Sequence, residues 1–301
     1  MQKTLVPYIT PAFKQSKSTL SNVADYVDDF KFLTNWKTVN YQGWHFPSIA
    51  PPHYWCSIWN TDACTNIEGH NASGFGKRAY VKQYQRSCYR ASCQICYLKW
   101  IARESDNAKQ RIEYYGNSKN HKPIHVIFSV HPLQAQTPIK ILRQRLAHIL
   151  KIAKFEGGAV VFHPFARDKK TGMWYPKPHF HFVGFGSEQK IKQAFGKYRW
   201  YVKIKEERKS VFQTFCYLLS HCGIRQHSQS VTWYGNLSYS KMPRQKSEKI
   251  TVCPLCGHDF EKIVHYSVHP VAPPYRTYFG LVDFKDLELA LAENPDSLQH
   301  A

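Results

Sequence analysis

The chain has 301 residues, 43% of them apolar, with 8 Trp, 19 Tyr and 18 Phe. That is enough to pack one large domain or two small ones, and too aromatic for a disordered tail. Forty-one Lys and Arg against 21 Asp and Glu leave a net charge of +20, which points to a polyanionic partner. A membrane surface fits less well, because the basic residues are spread through aromatic and Cys-bearing stretches rather than along one amphipathic helix. No run of about 18 apolar residues occurs and the N-terminus lacks an apolar leader core, so a soluble cytoplasmic protein is expected. Nine cysteines are an odd number, and the Cys-x-x-Cys pairs read as metal ligands in a reducing compartment rather than as a secreted disulfide framework.

Three regions are expected in chain order: a basic, aromatic and Cys-rich region over 1–120, a catalytic core over 121–240, and a C-terminal knuckle and acidic tail over 241–301. Residues 1–55 carry Trp36, Trp44, Pro47, Pro51, Pro52 and Trp55 without a sustained period; helical turns are expected near 21–33, and no chemistry is assigned. From Lys77 to Lys122 there are 11 Lys or Arg and 3 Asp or Glu, with Tyr80, Tyr84, Tyr89 and Trp100 among them. Such a mixture lets bases stack while cations neutralise phosphates, and equally suits a solvated basic face. A helix is expected over 97–115.

The middle of the chain is more regular. β-Branched residues over 124–130 predict a strand. Thr137-Pro138 reads as an N-cap and first helical residue, and Ile141, Leu142, Leu146, Ile149, Leu150 and Ala153 recur on one side until Gly157-Gly158 stop the helix. Strands follow at 159–163, 179–185 and 199–204, with a short helix over 188–195 between the last two. The order is β-α-β-β-α-β, which predicts an α+β, ferredoxin-like antiparallel sheet with helices on one side. A further helix is expected over 206–222, with Gly223 as its C′ residue. Val231–Tyr239 reads as extended or mixed, and 281–296 as a short acidic helix or loose tail.

The chemistry concentrates at two places. His179 and His181 alternate with Phe180 and Phe182, so a strand puts both imidazoles on one face, where they can hold a divalent cation. Tyr217 and His221 are spaced by one helical turn, and Gln213 lies one turn earlier. Three histidines around a metal with a phenol beside them suit attack on a phosphodiester: the metal stabilises charge on the non-bridging oxygens and favours the phenolate. Taken singly, Tyr217 could be an ordinary helix aromatic and His221 a helix C-terminal cap.

The stretches Ile127-Phe-Ser-Val-His-Pro132, Gly157-Gly-Ala-Val-Val-Phe-His-Pro164, Pro178-His-Phe-His-Phe-Val-Gly184 and Tyr217-Leu-Leu-Ser-His-Cys-Gly223 resemble the HUH-endonuclease superfamily of rolling-circle replication initiators. Within it the resemblance is to the replication proteins of archaeal plasmids and related viruses. It covers roughly residues 85–260. It implies that His179 and His181 bind Mg²⁺ or Mn²⁺, and that Tyr217 forms a 5′-phosphotyrosine link. The nick leaves a 3′-OH for a host polymerase, and a host helicase opens the duplex. His221 matches a metal-ligating side chain that some relatives place one turn after the nucleophile. No second tyrosine lies one turn from Tyr217, so a single-tyrosine enzyme is expected, with a second protomer of a homodimer to supply another nucleophile. Tyr234 and Tyr239 are the weaker nucleophile candidates.

Structural zinc is expected at the cysteines. Cys93, Cys96, Cys253 and Cys256 could form one four-thiolate site. Alternatively Cys88, Cys93 and Cys96 take Cys56, Cys64 or His70 as a fourth ligand, while Cys253 and Cys256 take two of His258, His265 and His269. Cys216 and Cys222 read as buried free thiols. Arg199, Lys203, Lys205, Arg208 and Lys209 are candidates for phosphate contacts with single-stranded or origin-hairpin DNA. Rival readings are a transposase or relaxase of the same chemistry, and a zinc-containing nucleic-acid-binding regulator without catalysis.

Overall fold

This computed structural model describes Val23 and residues 35–56, 58–195, 199–205, 210–243, 251–263 and 278–283. Apart from Val23, the turns expected near 21–33 lie outside the described residues, as do Arg208, Lys209, His265, His269 and the tail after Asp283. In chain order the elements are β1 (Trp59–Cys64), α1 (Ile67–Ala72), β2 (Arg78–Gln85), α2 (Tyr97–Lys119), β3 (Ile124–Ser129), α3 (Ile139–Ile152), β4 (Gly157–Arg167), β5 (Trp174–Phe185), α4 (Glu188–Phe195), β6 (Tyr201–Lys205), α5 (Val211–Ser220), β7 (Val231–Gly235), β8 (Glu261–Ile263) and β9 (Tyr278–Asp283). The protein is a mixed α+β chain with antiparallel sheets. It forms two units: residues 1–47 with 98–242, and residues 48–97 with 243–301. The expected N-terminal region 1–120 therefore contributes to both.

The first unit is built on a five-stranded sheet in the order β6-β3-β5-β4-β7. Alternation along β3 and β5 separates two faces. Phe128, Phe180 and Phe182 point one way; Phe195 of α4 stacks on Phe128 at 4.6 Å, and Phe155, just after α3, meets Phe182 at 4.8 Å. The opposite face carries His179, His181 and Phe185. It is covered too: Tyr115 of α2 packs on Phe185 at 5.1 Å, and α5 reaches the histidines through the rings described below. Helices on one side were expected, but α2 and α5 bury the second face.

Several boundaries differ from expectation for identifiable reasons. The helix α3 ends before Lys154, which takes a left-handed φ of +54°. Gly157 and Gly158 instead open β4, where Gly158 pairs with Gly184. A Cβ on Gly184 would lie 2.3 Å from the Gly157 carbonyl oxygen and 2.5 Å from the Gly158 Cα, so these glycines serve close strand approach. The helix α5 starts at Val211 because Ser210 Oγ accepts from the Gln213 N–H at 3.1 Å. Gly223 donates its N–H to the Phe162 carbonyl at 2.8 Å, and a Cβ there would meet Pro164 Cδ at 2.7 Å.

The segment 35–47 has no helical or strand period because it packs as an irregular aromatic staple on β4 and β5. Trp44 meets Phe162 at 4.9 Å, and Phe46 meets Phe165 and Trp174 at 4.7 Å each. Asn35 pairs with the Trp174 backbone in both directions, at 2.7 and 2.9 Å. Burying several large rings stabilises this end of the hairpin by about 1.5–3 kcal/mol per side chain.

The second unit is a four-stranded sheet in the order β8-β1-β2-β9. Its apolar cluster is small, with Ala63, Ala79 and Val81 buried and Val282 packed against them. Next to that modest core stand two groups of thiols.

Candidate metal centres and the tyrosine site

In the second unit, Cys56, Cys88, Cys93 and Cys96 bring their sulfurs within 4.8 Å of one another, and so do the ligand atoms of Cys64, His70, Cys253 and Cys256. Tetrahedral coordination with metal–thiolate bonds of about 2.3 Å spaces the sulfurs by about 3.8 Å. The observed separations are 3.9 Å for Cys93–Cys56 and 3.5 Å for Cys64–Cys256, with His70 Nε2 3.3 Å from Cys253 Sγ. The two clusters are thus capable of holding a metal ion.

Local structure explains how each set is assembled. The strand-end thiol Cys64 is joined by His70 from α1, whose Asn66 cap accepts from the Gly69 N–H. Fully buried His70 faces the Arg78 carbonyl with Nδ1 at 2.6 Å; a carbonyl can only accept, so the proton sits on Nδ1 and Nε2 is free for a ligand role. Cys253 and Cys256 lie on a knuckle closed by the Gly257 N–H to the Cys253 carbonyl, and Gly257 takes φ +73°. In the other cluster, Ala50 bridges Cys93, and Cys56 follows the His53 turn. Burial pushes the Cys56 and Cys64 thiols up to about 12, and hydrogen-bonding neighbour thiols add to this. Cys88 is half-buried, which raises it, yet hydrogen bonds from Arg90 and neighbouring thiols bring it down to about 7.

The single four-thiolate site drawing on both Cys-x-x-Cys pairs is not the arrangement found. Each pair joins its own cluster, Cys93 and Cys96 with Cys56 and Cys88, and Cys253 and Cys256 with Cys64 and His70. His258 contributes its backbone carbonyl to the Cys253 N–H at 2.7 Å.

In the first unit a third cluster stands on the sheet, formed by His163, His179 and His181. His163 on β4 is the register partner of His179 on β5, and His181 lies two residues on along the same face. Ring centroids are 5.2 Å apart for His163–His179, 4.3 Å for His163–His181 and 5.1 Å for His179–His181.

Hydrogen bonds fix which nitrogens face inward. His179 Nδ1 donates to the Lys177 carbonyl at 2.8 Å, leaving Nε2 with its lone pair. His181 Nδ1 pairs with Nε2 of buried His125 at 2.9 Å. If Nδ1 of His181 donates there, its Nε2 is likewise available as a ligand. His163 is fully buried, and neither ring nitrogen makes a hydrogen bond of normal geometry, although the Leu218 carbonyl lies near enough to favour a proton on the ring. A buried imidazole left in this state is costly unless a cation completes it, so the donor set fits a metal ion. Burial holds His163 well below the usual histidine range, with the neighbouring His181, His221 and His179 acting in the same direction; burial brings His179 down to about 4. Neutral imidazoles are the form that ligates.

Tyr217 and His221 join this cluster through edge-on ring contacts. Tyr217 packs edge-on against His221 at 4.7 Å, and His221 packs edge-on against His163 at 4.5 Å. His221 is the C-cap of α5. Ser220 Oγ donates to the Tyr217 carbonyl at 2.7 Å and lies 3.0 Å from His221 Nδ1. Its one proton is used, so His221 Nδ1–H donates to it and Nε2 keeps the lone pair. The third close imidazole is thus His163, with His221 standing between it and the tyrosine.

His163 and His125 were not assigned from sequence. For His163 the available signal was the alternation Ala159-Val160-Val161-Phe162-His163, which puts the imidazole on the face of Val161. Of the remaining candidates, Tyr234 lies on β7 and is raised by burial; Tyr239 packs on Trp233 and the Arg111 guanidinium. Lys203 and Lys205 are exposed on β6, and exposed Arg199 precedes it with φ +56°. Cys216 and Cys222 are buried with raised thiols. Among the described residues no helix is long and apolar enough to cross a membrane.

Comparison of the chain with protein-family models, curated proteins and solved structures gives no match.

Proposed function

We propose that the chain is a rolling-circle replication initiator of HUH-endonuclease type, which nicks and rejoins single-stranded DNA through Tyr217. The observation that carries the reading is the continuous ring contact from Tyr217 through His221 to the His163, His179 and His181 nitrogens. The β-α-β-β-α-β order with strands arranged β6-β3-β5-β4 supports a ferredoxin-like core. The net charge of +20 supports a nucleic-acid substrate.

On this reading His163, His179 and His181 hold Mn²⁺ or Mg²⁺, which supplies charge stabilisation at the non-bridging oxygens of the scissile phosphate. Tyr217 Oη attacks phosphorus and forms the phosphotyrosine bond, while the bond to the 3′ oxygen breaks and that oxygen takes a proton from water to leave a 3′-OH. His221 Nε2, with its lone pair retained, accepts the phenolic proton. Rejoining reverses the same step, with the 3′-OH displacing Tyr217. A host polymerase extends the primer, and a host helicase and a second protomer complete the cycle in the host cytoplasm. The thiol clusters hold structural Zn²⁺: four ligands at tetrahedral spacing leave no position for substrate.

The test incubates labelled single-stranded DNA from the cognate replicon with Mn²⁺ and resolves products on denaturing gels. A covalent protein–DNA band that is present in wild type, absent in Tyr217→Phe, and reduced at least about 100-fold in His163→Ala is expected. A band that persists in Tyr217→Phe removes Tyr217 as nucleophile. Tight binding without cutting in either metal leaves the non-catalytic regulator in its place.

A further inference from the structure

The strand β6 lies at the edge of the histidine sheet and pairs with β3, which pairs in turn with β5. The registers align side chains in rows on one face. Tyr201 lies opposite Ser129, which lies opposite His179; Lys203 lies opposite Ile127, which lies opposite His181. Lys205 lies opposite His125, the partner of His181. With strands spaced by about 4.8 Å, the Lys203 backbone is about 10 Å from that of His181.

Tyr201 is 65% exposed, and its ring lies within 10° of parallel to that of His131, with centroids 6.5 Å apart. Leu133, on the 3₁₀ turn that follows His131, is 86% exposed. The turn is fastened to the start of β6, because Gln134 Oε1 accepts from Trp200 Nε1 at 2.8 Å and from Arg145 at 3.2 Å. Lysines on an edge strand also discourage strand-to-strand association. That explanation does not cover an exposed tyrosine held parallel to a histidine, which adds apolar surface at the edge.

We infer that β6 and the His131–Gln134 turn form a docking platform for single-stranded DNA. Tyr201 and His131 supply a stacking face for a base, and Lys203 and Lys205 contact phosphates in line with the histidine cluster. The inference rests on the nuclease reading only for its substrate; the platform itself rests on the exposed aromatic and the two aligned cations. Stacking on an aromatic face tolerates any base, while the lysines supply the salt-dependent part of the affinity. A strand held here runs across β3 toward His179 and His181.

The test measures fluorescence anisotropy of a labelled single-stranded oligonucleotide, without divalent metal and in the Tyr217→Phe background, against salt. Tyr201→Ala should weaken binding about tenfold, and Tyr201→Phe should bind like the parent, because the ring and not the hydroxyl stacks. Lys203→Gln with Lys205→Gln should flatten the logarithmic salt slope by about 1.4, which is about 0.7 for each phosphate no longer neutralised. All are exposed positions, and unchanged thermal melting checks their folding. Parent-like affinity in Tyr201→Ala with a parent-like slope in the double lysine variant overturns the platform, as does a parent chain that fails to bind single strands. Equal losses on duplex and single-stranded DNA overturn base stacking. Parent-like affinity together with a covalent adduct formed normally by the same substitutions in chains that keep Tyr217 would remove the platform and keep the nuclease. Weakened binding, where the chain that keeps Tyr217 never forms an adduct, would do the reverse.

Discussion

The histidine cluster and the two thiol clusters bring together similar ligand chemistry by opposite means. His163, His179 and His181 project from adjacent strands of a sheet whose other face is filled by Phe128, Phe180 and Phe182. Their positions come from cross-strand register, and three nitrogens leave coordination positions for an oxygen ligand. The thiol sets come from loops, a short helix and a strand end, with four ligands each, beside a core whose buried members are Ala63, Ala79 and Val81. Where apolar packing already fixes the backbone, ligands can be held open for reaction. Where packing is thin, a closed ligand set substitutes for the missing core.

The largest expected effect would break this contrast directly. Cys253→Ser should release one metal equivalent and open the described residues of the second unit to protease, with a loss on the order of 10 kcal/mol of metal-linked stability. The described residues of the first unit should stay resistant. Metal analysis with limited proteolysis checks this, and a variant that keeps two ions and full resistance would show that packing alone holds the second unit.

A smaller effect sharpens the account of the histidine sheet. His125→Ala removes the partner of His181 Nδ1 and should weaken Mn²⁺ binding by about 10- to 100-fold. His125→Gln, which keeps an acceptor, should recover part of that affinity. Calorimetric titration of Mn²⁺ into zinc-loaded protein reads both, and unchanged affinity in His125→Ala would reduce His125 to a packing residue.

The smallest effect is the pH dependence of protein lacking metal at the histidines. His163 and His179 are held below their ordinary value of 6.5, His179 at about 4. Below pH 6.5 the unfolded chain therefore binds protons that these folded imidazoles refuse, so their stabilising contribution is intact above pH 6.5. It is lost as pH falls from there through about 4. Melting temperatures followed across that window should decline, and loading Mn²⁺ at its upper end should raise them. A flat profile would place both imidazoles in water.

How much of this could be read beforehand depends on how local the signal is. His179-Phe180-His181 carries its own period, so its strand and shared face were legible, as were the helices around Leu142–Leu150 and Thr214–Leu219. His163 is 16 positions before His179, and only the β4–β5 register makes them neighbours. His125 is invisible for the same reason, since its role depends on a diagonal contact between β3 and β5. The second sheet was missed because β1 takes β8 as one neighbour and β2 takes β9, and both partners lie far along the chain. The cysteine pairs announced metal through their spacing, but a spacing cannot say which loop supplies the other two ligands. The aromatic staple at 35–47 follows no period, because Tyr41, Trp44 and Phe46 are placed by their contacts with Phe162, Phe165 and Trp174 on β4 and β5.

The separation of ligands in the Cys64, His70, Cys253 and Cys256 cluster has a consequence for biosynthesis. His70 precedes Cys253 by 183 residues, and Cys64 precedes Cys256 by 192. At about 5–20 residues per second, a ribosome takes on the order of 10–40 s to deliver the second half of the site. During that interval Cys64 and His70 are an incomplete pair, while the whole stretch from β3 to β7 emerges and can fold. Closing the cluster is therefore a late event in the life of each new molecule, and a nascent chain halted before the knuckle carries the histidine sheet without the clasp.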